Sequence, residues 1–124
     1  MCIRDRALVP RDMIRGDSEK VFYVDDVKVS SVISFEGAFQ RYIRNSVLEG
    51  AEVIVVLTNQ ASYGKSGMSD QFILMSTANA LSNDRPLIHS AITGKSAIIT
   101  NTGCLLYTSP SPRDRTRSRM PSSA

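Results

Sequence analysis

Two short apolar runs, each ending at polar residues, constrain this chain more than anything else in it. The first ends in Val32-Ile33-Ser34-Phe35-Glu36-Gly37, where an apolar strand stops at a serine and a helix opens. The second, Val53-Ile54-Val55-Val56-Leu57, is apolar throughout and stops at Thr58-Asn59. An unbroken apolar strand of that kind reads as covered on both faces. Between the runs, Ala38, Phe39, Tyr42, Ile43 and Val47 recur at helical spacing, and Gly50 stands where a helix C-terminus takes a glycine. Strand, helix, strand makes one βαβ unit, hence parallel strands with a right-handed crossover. Parallel strands deliver their C-terminal polar residues to one rim, the usual place for a site in an α/β fold.

The flanking segments extend the same sheet. Val21 to Val24, then Asp25-Asp26, then Val27-Lys28-Val29 reads as a hairpin around a two-residue acidic turn. Thr58 to Met68 is a loop. Ser69 is the expected N-cap of a helix running to about Ser82, with Phe72, Ile73, Met75 and Leu81 as its buried residues. Asn83-Asp84 end it before Arg85-Pro86, with Arg85 a helix-end cation or a partner for an acidic group. Leu87 to Ile92 and Ser96 to Ile99 form a second hairpin across Thr93-Gly94-Lys95.

The two ends of the chain are expected to be translated adapter. Met1 to Arg6 can be encoded by ATG TGT ATA AGA GAC AGx, and the reverse complement of those bases, read in a shifted frame, encodes Cys-Leu-Leu-Tyr-Thr-Ser. The chain carries that string at Cys104 to Ser109. Such an inverted element resembles the transposon end used in sequencing-library preparation. Residues 1–6 and 104–124 are therefore set aside, the latter as disordered, and Ala7 to Gly103 is read as part of a domain. The charge argument changes with them. Arg4, Arg6, Arg113, Arg115, Arg117 and Arg119 leave the 15 Lys and Arg, Asp5 and Asp114 leave the 12 Asp and Glu, and the net charge of +3 becomes about −1. No basic tail then invites nucleic acid. Both cysteines, Cys2 and Cys104, are lost as well.

Most local motifs have bland explanations. Gly64-Lys65-Ser66 mimics the end of a phosphate-binding loop, but Asn59 stands where the pattern needs its first glycine. His89 is the only histidine and has no second ligand in view, so it reads as a packed or a surface residue rather than a metal ligand. Neither metal nor cofactor is expected. Ser34 differs because position and chemistry agree. A serine at a strand-to-helix elbow exposes its hydroxyl and offers backbone N–H groups, Phe35's among them, to an oxyanion. Glu36 would orient substrate or tune a nearby base. The plainer alternative is that Ser34 only caps the helix.

Ala7 to Gly103 resembles the nitrilase-like domain of apolipoprotein N-acyltransferases. Ile33-Ser34-Phe35-Glu36 is similar to that family's Ile-Cys-Tyr-Glu nucleophile motif, and Gly50 to Asn59 to its buried strand ending in Ser/Thr-Asn. Ala61-Ser62-Tyr63-Gly64 resembles its Ala-aromatic-aromatic-Gly loop. Gln71, Met75, Ala80 and Arg85-Pro86 fit its helix, Thr93 to Ile99 its Asn-Thr-Gly-x-Ser-x-x-Ile hairpin, and Asp12 to Gly16 a shorter Asp-Phe-x-x-Gly element.

The resemblance implies an α/β fold, the αββα nitrilase-like sandwich, of which this chain is the C-terminal portion. It implies a membrane-embedded parent whose catalytic domain lies outside the cytoplasmic membrane. That parent moves an acyl chain from a phospholipid, through an acyl-enzyme, to the amino group of an apolipoprotein's diacylglyceryl-cysteine. A Glu-Lys-Cys triad does this in the family, and its Glu and Lys would lie upstream of Ala7, so the piece is expected to be inactive alone. The site residues carried over are Ser34, Phe35 and Glu36 as catalytic, with Asn59 and Tyr63 lining the substrate pocket. Serine in place of cysteine leaves three readings open: a working serine nucleophile, an inactive binding-only relative, or a one-base sequencing error. A soluble carbon-nitrogen hydrolase is the enzyme alternative, although Gly37-Ala38-Phe39-Gln40 lacks the arginine usual after the nucleophile in such amidases. In that case no ~20-residue apolar spans would precede the domain.

Overall fold

The computed structural model describes residues 14, 16–18 and 20–109. The Asp12 to Gly16 element falls mostly outside the described residues, as do 1–6 and 110–124. Six strands form one sheet in sequential order: β1 (Val21–Val24), β2 (Val27–Ile33), β3 (Val53–Thr58), β4 (Leu87–Ala91), β5 (Ser96–Ile99) and β6 (Leu105–Ser109). β2, β3 and β4 are parallel, and the flanking pairs are antiparallel. The crossovers are α1 (Gln40–Leu48), between β2 and β3, and α2 (Met68–Asn83), between β3 and β4.

Alternation of side chains along each strand separates the sheet into two unlike faces. Ile54, Val56, Leu87, Ala97 and Ile99 point toward the helices and pack with Ile43 of α1 and with Phe72, Ile73 and Ala80 of α2. Residues in register on the other face are left open: Val27, Ile33, Leu57, Ile88, Ile98 and Tyr107 are all at least a third exposed. β3 is therefore covered on one side only, which corrects the expectation of burial on both. Its apolar composition matches a strand with a second layer, and this chain supplies one layer.

Other local expectations are adjusted. The hairpin at Asp25-Asp26 and the Gly50 stop form as read, with Gly50 at φ 102°. The helical stripe begins later than its spacing suggests. Ser34–Ala38 make a 3-10 turn, Phe39 is extended at φ −98°, ψ 115°, and α1 starts at Gln40. Ser69 does not cap α2, whose N-cap position is Gly67. Met75 and Leu81 lie exposed on its outer face, while Ser76 and Asn79 are buried beneath it. Arg85 is structural, donating Nε to Ala51 O at 3.2 Å and Nη1 to Asp84 O at 2.8 Å. Leu105–Ser109 are ordered as an edge strand on β5, against the expectation of disorder from 104 onward. The physical reason is general: Leu-Leu-Tyr-Thr is β-prone, and the free edge of β5 pairs with such a segment whatever its origin.

Candidate active site

The sharpest feature of the backbone lies at the end of β2. Ser34 adopts φ 55°, a left-handed conformation that costs a residue with a Cβ about 1–2 kcal/mol. Four contacts surround the elbow. Glu36 Oε2 accepts the N–H of Ile33 at 3.1 Å, closing the 3-10 turn on itself. From α2, buried Asn79 donates Nδ2 to the carbonyl of Gly37 at 2.9 Å. Gly37 lies against β3 so closely that a Cβ would sit 2.7 Å from Val56 Cγ1, so the turn tolerates no side chain at that position. The Phe35 ring meets Phe72 edge-on, with centroids 6.1 Å apart. Ser34 Oγ itself is exposed and makes no hydrogen bond to the described residues, so it does not cap the helical turn behind it.

In front of Ser34 lies a cleft of about 410 Å³ lined by Ile33, Ser34, Leu57, Thr58, Asn59, Ser90 and Ile92. Ile33, Leu57 and Ser90 are register partners across β2, β3 and β4 and belong to the helix-free face. The cleft thus sits where the parallel strands end and opens onto the uncovered side of the sheet.

Of the residues expected at the site, Ser34 and Asn59 share this cleft. Asn59 Oδ1 accepts the N–H of Ala61 at 3.1 Å, which shapes the rim loop. Tyr63 does not line the cleft. It packs against the core from the second 3-10 turn, Ala61–Tyr63, because that turn carries the loop back onto the helix side. The carboxylate of Glu36 is engaged with the elbow's own backbone rather than with a neighbouring base. Among the described residues no group of His, Cys, Asp and Glu side chains is arranged to hold a metal.

The carbon-nitrogen hydrolase family matches residues 4–113. The chain belongs to this family. A curated apolipoprotein N-acyltransferase from Bdellovibrio bacteriovorus is 32% identical over 100 residues, which is 77% of this chain and 18% of the relative. The chain therefore spans under a fifth of that relative's length. The carbon-nitrogen hydrolase of Helicobacter pylori G27 superposes with TM-score 0.69 at 13% identity, over 79% of this chain and 41% of that one. The amidase of Nesterenkonia sp. AN1, solved in a mutant form with covalent addition of the acetamide moiety of fluoroacetamide at its active site cysteine, superposes with TM-score 0.64. That pair is 17% identical over 82% of this chain and 39% of the amidase. These likenesses establish a nitrilase-like α/β fold.

Within this family member, sequence reasoning missed Ser90 and Ile92 on the rim and Gln60 and Asn79 behind it. The signal for the first two was present. α2 makes a second βαβ crossover, which places the end of β4 beside the end of β3. Gln60 and Asn79 gave none, since their roles depend on partners far along the chain. Of the two readings open for His89, packed or at the surface, the fold takes the first. It is wholly buried, between Ser76 Oγ at 3.0 Å from Nδ1 and Gln60 Nε2 at 2.9 Å from Nε2, with the Phe72 ring edge-on at 4.9 Å. Burial lowers its pKa from 6.5 to about 4.

Proposed function

We propose that this chain is part of an acyltransferase in which Ser34 carries an acyl group from a phospholipid to the amino group of an apolipoprotein's diacylglyceryl-cysteine. The observation that carries this reading is the strained elbow at Ser34, which presents a hydroxyl without a hydrogen bond among the described residues to a cleft between parallel strand ends. The name of the Bdellovibrio relative supports the substrate class.

In the forward step the Ser34 oxygen attacks the acyl carbonyl carbon and its proton passes to a base. The oxyanion is held by donors that include the N–H of Phe35, and the lysophospholipid alkoxide leaves with a proton. In the second step the lipoprotein amine attacks the ester, forming the amide and restoring the hydroxyl. The base belongs to the part of the longer protein that covers the open face of the sheet, because the cleft opens in that direction. Glu36 keeps the elbow in shape. That longer protein is membrane-embedded, with this domain on the extracytoplasmic side. Among the described residues no helix is long and apolar enough to cross a membrane. The adapter origin of residues 1–6 and 104–124 is a separate proposal, tested by sequencing genomic DNA across the locus.

A hydroxyl is a weaker nucleophile than a thiol near neutral pH, and the chemistry follows from that. In the longer reading frame, lipoprotein N-acylation is expected to rank Ser34→Cys above Ser34, and Ser34 above Ser34→Ala by about 100-fold or more. Equal rates for Ser34 and Ser34→Ala would remove this residue from the mechanism. The amidase reading rests on the likeness to the Nesterenkonia enzyme. Release of ammonia from short aliphatic amides, with no lipoprotein acylation, would decide in its favour.

A further inference from the structure

Behind Asn59 lies a buried polar relay whose hydrogen-bond directions can be deduced. Gln60 is 2% exposed, yet its side chain bridges two elements. The backbone N–H of Lys95 is necessarily a donor, and it points at Gln60 Oε1 at 3.3 Å. The other end of the amide, Nε2, then faces His89 Nε2 at 2.9 Å and must donate to it. His89 Nε2 is accordingly bare, and Nδ1 carries the proton given to Ser76 Oγ at 3.0 Å. The backbone adds Gln60 N–H to Thr93 O at 2.8 Å and Ile92 N–H to Thr58 O at 3.0 Å. Gly94 closes the assembly. It turns at φ 120°, and a Cβ there would overlap the Gln60 side chain. The relay thus ties the loop bearing Asn59 to the turn bearing Ile92, and both residues line the cleft.

We propose that Ser76, His89 and Gln60 position the far rim of the cleft, and that a second proton on His89 releases it. Protonated His89 would present Nε2–H to the amide's N–H groups. If the amide turns over to accept that proton, its NH2 then faces the N–H of Lys95. One bond is lost in either case. Among the described residues nothing around the ring compensates the charge: Ser76 and Phe72 face it from α2, Gln60 from the rim loop, and its register neighbours are Val56 on β3 and Ala97 on β5. The Lys95 ammonium is engaged with Asp70 at the surface. Burial already holds the ring neutral at ordinary pH. The inference rests on the acyl-transfer reading only in treating this cleft as the working site, and Gln60 and His89 are positioning residues within it.

The test reads the rim and not turnover, so it stands apart from the Ser34 series. In the isotope-labelled 124-residue chain, held monomeric in a mild detergent, the single histidine makes ring nitrogen signals unambiguous. At pH 7 the ring is expected to show a proton on Nδ1 and none on Nε2. Between pH 7 and pH 4 the amide signals of Asn59, Ile92 and Lys95 are expected to move along the ring's own titration curve, while those of Tyr42 and Ile43 on α1 do not. Gln60→Ala should shift the three rim amides at pH 7 and uncouple them from the ring. Gln60→Glu, whose carboxylate accepts from both sides, should restore the rim and raise the pH at which the ring titrates by about one unit or more. A proton on Nε2 at pH 7 would overturn the proposal. So would rim amides indifferent to the ring, or a Gln60→Glu ring that titrates as before.

Discussion

Ser34 pays in backbone strain for its exposure, and the neighbours that enforce the strain do not touch its hydroxyl. Glu36 bonds the N–H of Ile33, Asn79 bonds the carbonyl of Gly37, and Gly37 is wedged on Val56. Shape and chemistry at the elbow are therefore separable. Replacing Ser34 by glycine relieves the left-handed penalty and is expected to stabilise the chain by about 1 kcal/mol in urea unfolding, after the greater chain entropy of glycine is deducted. The same substitution should abolish any acyl-carrying activity. A destabilised Ser34→Gly would mean that the conformation is not a strained one. Glu36 shows where sequence reading stops at this scale. A carboxylate two residues after a candidate nucleophile suggests chemistry, and only coordinates reveal that it closes the turn.

At the scale of elements, α2 is tied to the sheet by buried polar side chains as well as by Phe72 and Ile73. Ser76 reaches His89 on β4, and the burial of that ring has a pH signature. The ring titrates near 4 in the fold and near 6.5 when unfolded, so between those values the unfolded chain binds the extra proton more readily. The contribution is complete above pH 6.5, declines as pH falls toward 4 and is gone below it. It amounts to about 3 kcal/mol at most. Denaturant unfolding at several pH values checks this, with His89→Gln expected to flatten that part of the profile. The strands and the parallel core were legible because β-branched runs and turn residues act locally. The burial of α2 was legible in part: Phe72 and Ile73 are buried as expected, but the inner face also carries Ser76 and Asn79 while Met75 and Leu81 face outward. Apolar periodicity misplaces part of a helix's inner face when polar groups are buried against partners 13 and 42 positions away.

At the scale of the whole molecule, the described residues form a single sheet with helices on one side. Its other face carries Val27, Ile33, Leu57, Ile88 and Ile98, with no charged residue among the strand positions that share it. A face of this kind in water drives association. The chain is expected to self-associate or aggregate with rising concentration and to bind hydrophobic dyes, with a detergent restoring a monomer. Sedimentation of a stable monomer that ignores such dyes would contradict this. Because the cleft opens onto that same bare surface, whatever layer settles there also builds the missing wall around Ser34. On the proposed acyl-transfer reading, completing the sandwich and arming Ser34 would then be one event, and a half-assembled protein would be inert rather than promiscuous toward the cell's esters.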